Sequence, residues 1–219
     1  MKSEVFLMDC MEGMKQYPDK YFDLAVVDPP YGIGENSRRN TTGDRPTAKW
    51  KSPKSKHYIK FDDSKIPPAE YWNELFRVSK KQIVWGGNYF TEYLPPSKGW
   101  IVWDKQADIK EHLSMCELAW SSFDKKCNKF EYLWAGFKKK DQVERIHPTQ
   151  KPVALYDWIY KNYLPQGGSV LDTHLGSGSN RIAADKAGNI DFTAYELDKD
   201  YYEAQENWFA LYKSQLKIF

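Results

Sequence analysis

Short apolar runs alternate along the chain with longer segments in which apolar residues recur at helical spacing. Five of these runs predict β-strands, at residues 24–27, 83–85, 101–103, 170–171 and 192–195. The alternation of such strands with helical segments indicates an α/β fold that is built on a largely parallel sheet.

Three helices can be placed from their ends. The proline pair at 67–68 suits a first helical turn. Its helix is predicted to bury Trp72, Leu75, Phe76 and Ser79. Gly188 is expected to close a helix over residues 181–187, and Asp198 is expected to cap the last helix. The buried stripe of that last helix should contain Tyr201, Ala204, Trp208 and Leu211.

The composition is that of one globular domain over residues 1–219. The 32 basic and 30 acidic residues leave a net charge of only +2, so the chain as a whole is not marked as a nucleic-acid binder. Three separated cysteines argue against disulfides and zinc, and Cys116 and Cys127 are expected to be small buried residues. We expect no metal site, no membrane span and a cytoplasmic protein.

The tetrapeptide Asp28-Pro29-Pro30-Tyr31 directly follows the predicted strand 24–27. Ligands of open α/β sheets bind beyond the carboxyl ends of the strands, which would place the tetrapeptide at the mouth of a site. Asp28 and the Pro29 carbonyl could accept the two hydrogens of an adenine N6 amine, while Tyr31 stacks on the base and the prolines stiffen the backbone. Taken alone, the tetrapeptide fits a Pro-Pro turn with a capping aspartate equally well.

A second candidate site follows the predicted strand 170–171, where Asp172 leads into a turn that contains Gly176 and Gly178. Such glycines let backbone N–H groups at a helix N-terminus approach a nucleotide-like ligand. The turn lacks the lysine of a P-loop, so it is not a phosphate-binding loop of that kind. Glu196 ends the next predicted strand, where a carboxylate can bind both ribose hydroxyls. This order of strand, glycine turn and acidic residue favours a binding site for an adenosyl group over a turn with only a structural role.

Together these motifs resemble those of the β-group of amino-DNA methyltransferases, in which the catalytic half precedes the cofactor half. The resemblance extends through nearly the whole chain and includes residues 7–10, 23–31, 85–90, 100–105, 147–152, 172–178 and 196. It implies a three-layer, Rossmann-like α/β fold that transfers a methyl group from S-adenosylmethionine to a flipped adenine of double-stranded DNA.

The resemblance also implies the roles of individual residues. Catalysis is assigned to Asp28, Pro29, Pro30 and Tyr31. Cofactor binding is assigned to Asp9, His147, Thr149, Lys151, Asp172, Gly176, Gly178 and Glu196. Thr173-His174 stands where the family usually has Pro-Phe.

Two basic segments are the candidate DNA contacts. Residues 35–60 carry a local charge of +6 and are expected to form a mobile loop that closes over DNA. Its expected DNA-binding residues are Arg38, Arg39, Arg45, Lys49, Lys51, Lys54 and Lys56. Residues 124–145 are expected to form a small target-recognition segment, and Trp120 and Phe123 are expected to flank the target base.

Several alternatives stay open from the residues alone. Cytosine N4 poses the same chemical problem as adenine N6, although the family's cytosine enzymes more often carry serine where Asp28 stands. An RNA methyltransferase, or a binding protein that keeps the fold without the activity, is also compatible with the motifs. The residues do not decide between restriction, phage protection and regulation in a bacterial or phage-infected cell, nor whether the chain forms a homodimer.

Replacing Lys49, Lys51, Lys54 and Lys56 together by alanine should weaken binding to all duplexes alike. Each lost phosphate contact removes about 0.9 from the slope of log affinity against log salt, so the salt dependence should become flatter. Cognate and unrelated duplexes would be titrated across a salt series with both proteins. An unchanged slope would make this segment an ordinary solvated surface, and a changed target sequence would assign base recognition to it.

Overall fold

The computed structural model describes residues 2–34, 63–106, 114–135, 138–140 and 145–215. The first half of the described chain contains β1 (Ser3–Leu7), α1 (Cys10–Met14), β2 (Phe22–Val27), α2 (Ala69–Val78), β3 (Ser79–Trp85), β4 (Ile101–Asp104) and β5 (Cys116–Ser121). The second half contains β6 (Asn128–Glu131), β7 (Trp134–Ala135), β8 (Lys138–Lys139), α3 (Val153–Tyr163), β9 (Gly168–Asp172), α4 (Ser179–Ala187), β10 (Ile190–Glu196) and α5 (Lys199–Gln215). No helix within these ranges has the length and apolar character needed to cross a membrane.

Eight of the described strands form one sheet in the order β1-β10-β9-β2-β3-β5-β4-β6. The first five in this order are mutually parallel, whereas β5 is antiparallel to both β3 and β4. β4 and β6 pair in parallel, and β7 and β8 form a separate antiparallel pair. The predicted α/β class with a mostly parallel sheet is confirmed.

The sheet is covered on both faces, which gives the fold three layers. Along β2, Leu24 and Val26 belong to one apolar cluster, and Ala25 and Val27 belong to the other. The first cluster includes side chains from α3 and α4, and the second includes side chains from α1 and α2. Burial on both faces explains why the central strands have continuous apolar runs rather than alternating ones.

The strand order of the sheet reverses at the neighbouring parallel strands β9 and β2. From β2 the chain continues to β3 on one side, and from β9 it continues to β10 on the other. Loops that leave such a pair at the carboxyl edge diverge and leave a crevice between them. The loops after β2 and β9 carry Asp28 and the glycine turn respectively. The Asp28 loop therefore precedes the glycine turn along the chain.

The predicted helix ends agree well with the structure. Pro68 is the residue before α2, and Gly188, with φ +75°, closes α4 in the left-handed conformation. The Asp198 carboxylate accepts the backbone N–H groups of Asp200 at 2.8 Å and Tyr201 at 3.1 Å, which makes it the N-cap of α5.

Two positions of the predicted helical stripes are wrong. Ser79 is buried but begins β3, because α2 ends at Val78. Leu211 is 62% exposed, so the buried stripe of α5 does not include it. The fully buried polar residue of α5 is instead Gln205, which accepts a hydrogen bond from Arg181.

The expectation of buried cysteines is also wrong, because Cys116 and Cys127 are both exposed. Cys116 begins β5 and lies on the wall of a cavity, and Cys127 precedes β6 at the edge of the sheet. Neither position is covered by a neighbouring layer.

At Gly13, α1 packs closely against the sheet, and a substitution there tests this packing. A Cβ atom at Gly13 would lie 2.2 Å from ring atoms Cε1 and Cζ of the buried Tyr195. Gly13→Ala should therefore lower the free energy of unfolding by about 1 to 3 kcal/mol through overpacking. Urea denaturation would measure the change, with Lys15→Ala on an exposed side chain as the control. Equal stability of Gly13→Ala and the parent would contradict this packing.

Candidate active site

A cavity of about 510 Å³ opens at the carboxyl edge of the parallel strands. Its wall brings together ten of the predicted site residues, namely Asp9, Asp28, Pro29, Pro30, Tyr31, His147, Thr149, Lys151, Gly176 and Glu196. Asp172 and Gly178 do not line it. The tetrapeptide and the glycine turn, which lie about 150 residues apart in the sequence, therefore share one cavity.

The Asp28 carboxylate is held by two neighbours. Its Oδ1 accepts a hydrogen bond from the Tyr31 hydroxyl at 2.6 Å, and its Oδ2 forms an ion pair with the Lys151 ammonium. The Lys151 Nζ also donates to the Tyr31 hydroxyl oxygen at 3.3 Å. Burial together with Asp28 raises the pKa of Tyr31 well above its ordinary value, so the phenol keeps its proton and remains a donor.

Lys151 is a buried cation whose side chain is only 3% exposed. Burial would lower its pKa, but Asp28 and Glu117 raise it, and the net shift is upward. Glu117 Oε2 lies 3.4 Å from Lys151 Nζ, and Glu117 Oε1 lies 2.6 Å from Lys105 Nζ. These two ammonium groups overcome the effect of burial on Glu117 and lower its pKa. Two carboxylates and two ammonium groups thus form one compensated cluster on the wall of the cavity.

The Tyr31 ring is fixed by its neighbours. It stacks on Tyr89 with 5.0 Å between ring centroids, and Tyr89 itself is 43% exposed. Gly86 lies against the ring so closely that a Cβ there would lie 2.2 Å from Tyr31 Cε1. The Asp63 carboxylate accepts the backbone N–H groups of Tyr31 at 2.9 Å and Gly32 at 3.2 Å, which fixes the turn after the tetrapeptide.

The glycine turn and Glu196 are joined by backbone hydrogen bonds. Gly176, with φ +56°, donates its N–H to Glu196 Oε2 at 2.8 Å, and Asp198 donates its N–H to Glu196 Oε1 at 2.9 Å. Burial raises the pKa of Glu196, whereas these N–H groups act in the opposite direction. The carboxylate is oriented toward the cavity with one backbone donor on each oxygen.

Asp172 and Gly178 support the turn from beneath the cavity. Asp172 is buried and accepts hydrogen bonds from Asn180 Nδ2 at 2.8 Å and the His174 N–H at 3.1 Å. Burial raises the pKa of Asp172 to about 7. Gly178 adopts a left-handed conformation immediately before α4. Their contacts in the described structure hold the turn in place, and the predicted contact of each with the cofactor stays a prediction.

Asp9 and His147 also line the cavity. Asp9 caps α1 by accepting the Met11 N–H at 2.8 Å. His147 packs edge-on against Tyr201, and its Nδ1 lies 3.0 Å from the Thr149 hydroxyl. Burial, with a smaller effect from Lys151, lowers the pKa of His147 to about 3, so the imidazole is neutral at physiological pH.

Comparison with known proteins finds a family whose model matches about half of the chain. Residues 100–207 match the N6_N4_Mtase family, whose description is DNA methylase. The chain carries an N6/N4 DNA methylase domain. The matched part of the methylase contains the glycine turn and Glu196, whereas Asp28 and Tyr31 lie before it.

The methylase is similar along most of its length to a curated relative. YubD of Escherichia coli strain K12, which is named as a methylase, is 26% identical over 217 residues, covering 90% of this chain and 85% of YubD.

Solved structures share its fold. The complex of M1.HpyAVI with SAM has a TM-score of 0.58 at 16% identity and covers 94% of this chain and 98% of its own. The cytosine-N4-specific PvuII DNA methyltransferase has a TM-score of 0.59 at 10% identity, with 94% and 86% covered. The predicted methyltransferase fold is confirmed.

Sequence reasoning missed several residues of the cavity wall in the methylase. Glu117 belongs to no recognised motif, and Lys105 ends the family-like segment 100–105 but was given no role there. The ion pairs of Glu117 with Lys105 and with Lys151 reveal both. Tyr89 is part of the family-like segment 85–90, which could have indicated it. The expectation for Trp120 and Phe123 is wrong: Trp120 is buried with its indole N–H bonded to the Pro95 carbonyl, and Phe123 packs on Tyr163.

The two segments that were predicted to contact DNA are described to different extents. Residues 35–60, with all seven predicted DNA-binding side chains, lie outside the described residues. In the segment 124–145, Phe130, Tyr132 and Trp134 are buried in the core of the methylase. These three aromatic residues therefore contribute to packing, and the role of the segment in target recognition stays a prediction.

His147 should make the stability of the methylase depend on pH. Its pKa is about 3 in the folded chain against an ordinary value of 6.5, so between these values the unfolded chain binds a proton that the folded chain does not. The stabilising contribution is complete above pH 6.5 and is lost as the pH falls. The loss has an upper limit of about 1.4 kcal/mol per pH unit for one proton.

His147→Asn keeps an acceptor for Thr149 but cannot titrate. Urea denaturation from pH 7.5 downward should show a shallower loss of stability for this variant than for the parent. His174, whose pKa burial lowers to about 4, should account for part of the slope that remains. Parallel pH profiles for the two proteins would contradict the assignment to His147.

Proposed function

We propose that this methylase transfers a methyl group from S-adenosylmethionine to the N6 amine of adenine in double-stranded DNA. The observation that carries the proposal is the shared cavity, whose wall includes both the Asp28 tetrapeptide and the Glu196 carboxylate with its glycine turn. One ligand can therefore be held by the turn while an amine faces Asp28.

The residues present fit the cofactor. Each oxygen of Glu196 accepts one backbone N–H, which leaves further lone pairs for two ribose hydroxyls. Gly176 provides a side chain-free surface beside it, and Met8 and Leu197 provide apolar contacts on the same wall. Asp9, His147 and Thr149 would complete the binding surface. When bound, S-adenosylmethionine supplies a methyl group that is activated by a positively charged sulfur.

Asp28 and the Pro29 carbonyl would accept the two hydrogens of the target amine. The ion pair with Lys151 and the hydrogen bond from Tyr31 orient the Asp28 carboxylate before the base enters. Each of its oxygens keeps a lone pair for the amine, since each has one partner among the described residues. The amine is thereby held in one orientation, and its extra proton is released to solvent after methylation.

The Tyr31–Tyr89 pair is the proposed surface for the flipped base. Tyr89 is the more exposed ring of the two, and both line the cavity. Stacking on an aromatic pair holds a base without reading its identity. Asp28 and the Pro29 carbonyl would then select for an amino group at the edge of the base.

Adenine is ranked before cytosine because Asp28 stands where the family's cytosine enzymes more often have serine. Cytosine N4 is the second candidate, since the matched family covers both reactions and the PvuII neighbour is cytosine-N4-specific. The basic residues of 35–60 are proposed to hold the phosphates, with 124–145 as the recognition segment.

Digestion of DNA from cells that express the protein, followed by mass spectrometry of the nucleosides, tests this function. N6-methyldeoxyadenosine is the expected product. N4-methyldeoxycytidine would overturn the choice of base, and the absence of any methylated nucleoside, together with a lack of methyl transfer to DNA in vitro, would overturn the activity.

Asp28→Ala should lose about a hundredfold or more in methyl transfer, because the amine is no longer positioned. Its affinity for S-adenosylmethionine should stay close to that of the parent, since Asp28 faces the target base. Calorimetric titration and a methyl-transfer assay would measure the two properties. Asp191→Ala, which removes an exposed carboxylate outside the cavity, is the matched control.

Near-parental transfer by Asp28→Ala would contradict the catalytic role. Asp28→Asn provides a second measurement with the shape of the side chain retained, in case the loss of the carboxylate beside the buried Lys151 unfolds the Ala variant. Loss of transfer by the folded Asn variant supports the same role, and full activity contradicts it.

A further inference from the structure

Three side chains form a hydrogen-bonded chain that leads from α2 to the wall of the cavity. The Tyr71 hydroxyl lies 2.7 Å from Thr173 Oγ1, and Thr173 Oγ1 lies 2.9 Å from His174 Nδ1. Thr173 and His174 occupy the two positions at which the sequence departs from the Pro-Phe of the resembling family. Proline and phenylalanine have no side-chain groups that could form such a chain.

The direction of these hydrogen bonds can be deduced because each buried hydroxyl group needs an acceptor for its proton. Tyr71 and Thr173 are both buried. Within the described residues, neither hydroxyl has a hydrogen-bond partner outside the series Tyr71, Thr173 and His174. A buried O–H without an acceptor is costly. Both hydroxyls are satisfied only if Tyr71 donates to Thr173 and Thr173 donates to His174 Nδ1.

This direction determines which nitrogen of His174 carries the proton. Burial lowers the pKa of His174 to about 4, so the ring is neutral at physiological pH and has one N–H. Because Nδ1 accepts from Thr173, the proton is on Nε2. Within the described part of the chain, Nε2 has no hydrogen-bond partner, and His174 lines the cavity. The ring therefore presents a donor with no protein acceptor.

Asp9 lies on the same wall and is close enough to His174 to raise its pKa slightly against the effect of burial. Its Oδ1 accepts the Met11 N–H, and a carboxylate has lone pairs for further donors. The wall thus offers an acceptor and a donor side by side. The 6-amino group of adenine is a donor, and the ring nitrogens N1 and N7 beside it are acceptors.

We propose that His174 Nε2–H donates a hydrogen bond to a ring nitrogen of the cofactor's adenine, next to the amino group that Asp9 accepts. Tyr71 and Thr173 are positioning residues that hold the proton on Nε2. The inference rests on the proposed function, since it requires an adenosyl ligand in this cavity. The two residues that replace the family's Pro-Phe thereby contribute to recognition of the cofactor's adenine in this protein.

The test compares ligands that differ by one ring nitrogen. S-adenosylhomocysteine and its 1-deaza and 7-deaza analogues would be titrated calorimetrically against the parent and His174→Phe. The parent should bind one of the two analogues about fivefold to tenfold more weakly than S-adenosylhomocysteine, the value of one hydrogen bond. His174→Phe should bind S-adenosylhomocysteine more weakly and should not distinguish it from that analogue.

The outcomes separate this inference from the proposed function. If the parent does not bind S-adenosylhomocysteine, the proposed function fails. If the parent binds it but treats both deaza analogues as equal to it, the role of His174 is overturned. Discrimination by His174→Phe that equals that of the parent overturns it as well.

The role of Tyr71 has its own spectroscopic readout. Nitrogen-15 NMR of the His174 ring should show the Nε2–H tautomer in the parent and a larger Nδ1–H population in Tyr71→Phe, which should also discriminate less between the ligands. Tyr163→Phe is the matched control, because Tyr163 is buried and bonded to Asn128 outside the cavity. A parent with the proton on Nδ1, or an unchanged tautomer in Tyr71→Phe, would overturn the positioning role.

Discussion

The buried ammonium group of Lys151 is the constraint on which the geometry of the cavity depends. A cation with so little exposure remains charged only if carboxylates replace its lost hydration, and Asp28 and Glu117 do so. Asp28 is 123 residues away in the sequence, at the end of β2, so the pair joins the two halves of the chain. Any displacement of one half against the other would leave a charge uncompensated. Asp28 is thereby oriented in the absence of substrate, which is the preorganisation that its proposed role in positioning the amine requires.

The central strands were predictable because burial on both faces gives them uninterrupted apolar runs, such as residues 24–27 and 83–85. β5 was not predicted, although it pairs with both β3 and β4. Its apolar run at 118–120 is short and lies between Glu117, which faces the cavity, and the buried polar Ser121. Glu117, which stabilises Lys151, was missed together with its strand. The ion pair between Asp28 and Lys151 also depends on folding, since no local pattern connects two motifs so far apart.

The cofactor side was predictable in its order but not in its contacts. The strand, glycine turn and terminal acid are local signals, and the structure places Gly176 and Glu196 in direct hydrogen-bond contact. The Thr173-His174 pair was recognisable only as a departure from a familiar pattern. Its partner Tyr71 lies 102 residues before Thr173, on α2, which connects β2 to β3. Hydrogen bonds between buried hydroxyls leave no periodicity in a sequence, so only the fold shows that this pair has a polar environment.

The pairing of β1 with β10 has a consequence for synthesis of the protein on the ribosome. Leu7 pairs with Glu196, and these strands bring Asp9 and Glu196 to the same cavity. At a synthesis rate of about 5 to 20 residues per second, about 10 to 40 s separate the synthesis of the two strands. During this interval β1 has no β10 to pair with, and for most of it the tetrapeptide after β2 has neither Lys151 nor β9 beside it. The nascent chain must therefore carry its first strand unpaired, and the cavity forms only after most of the chain has been made.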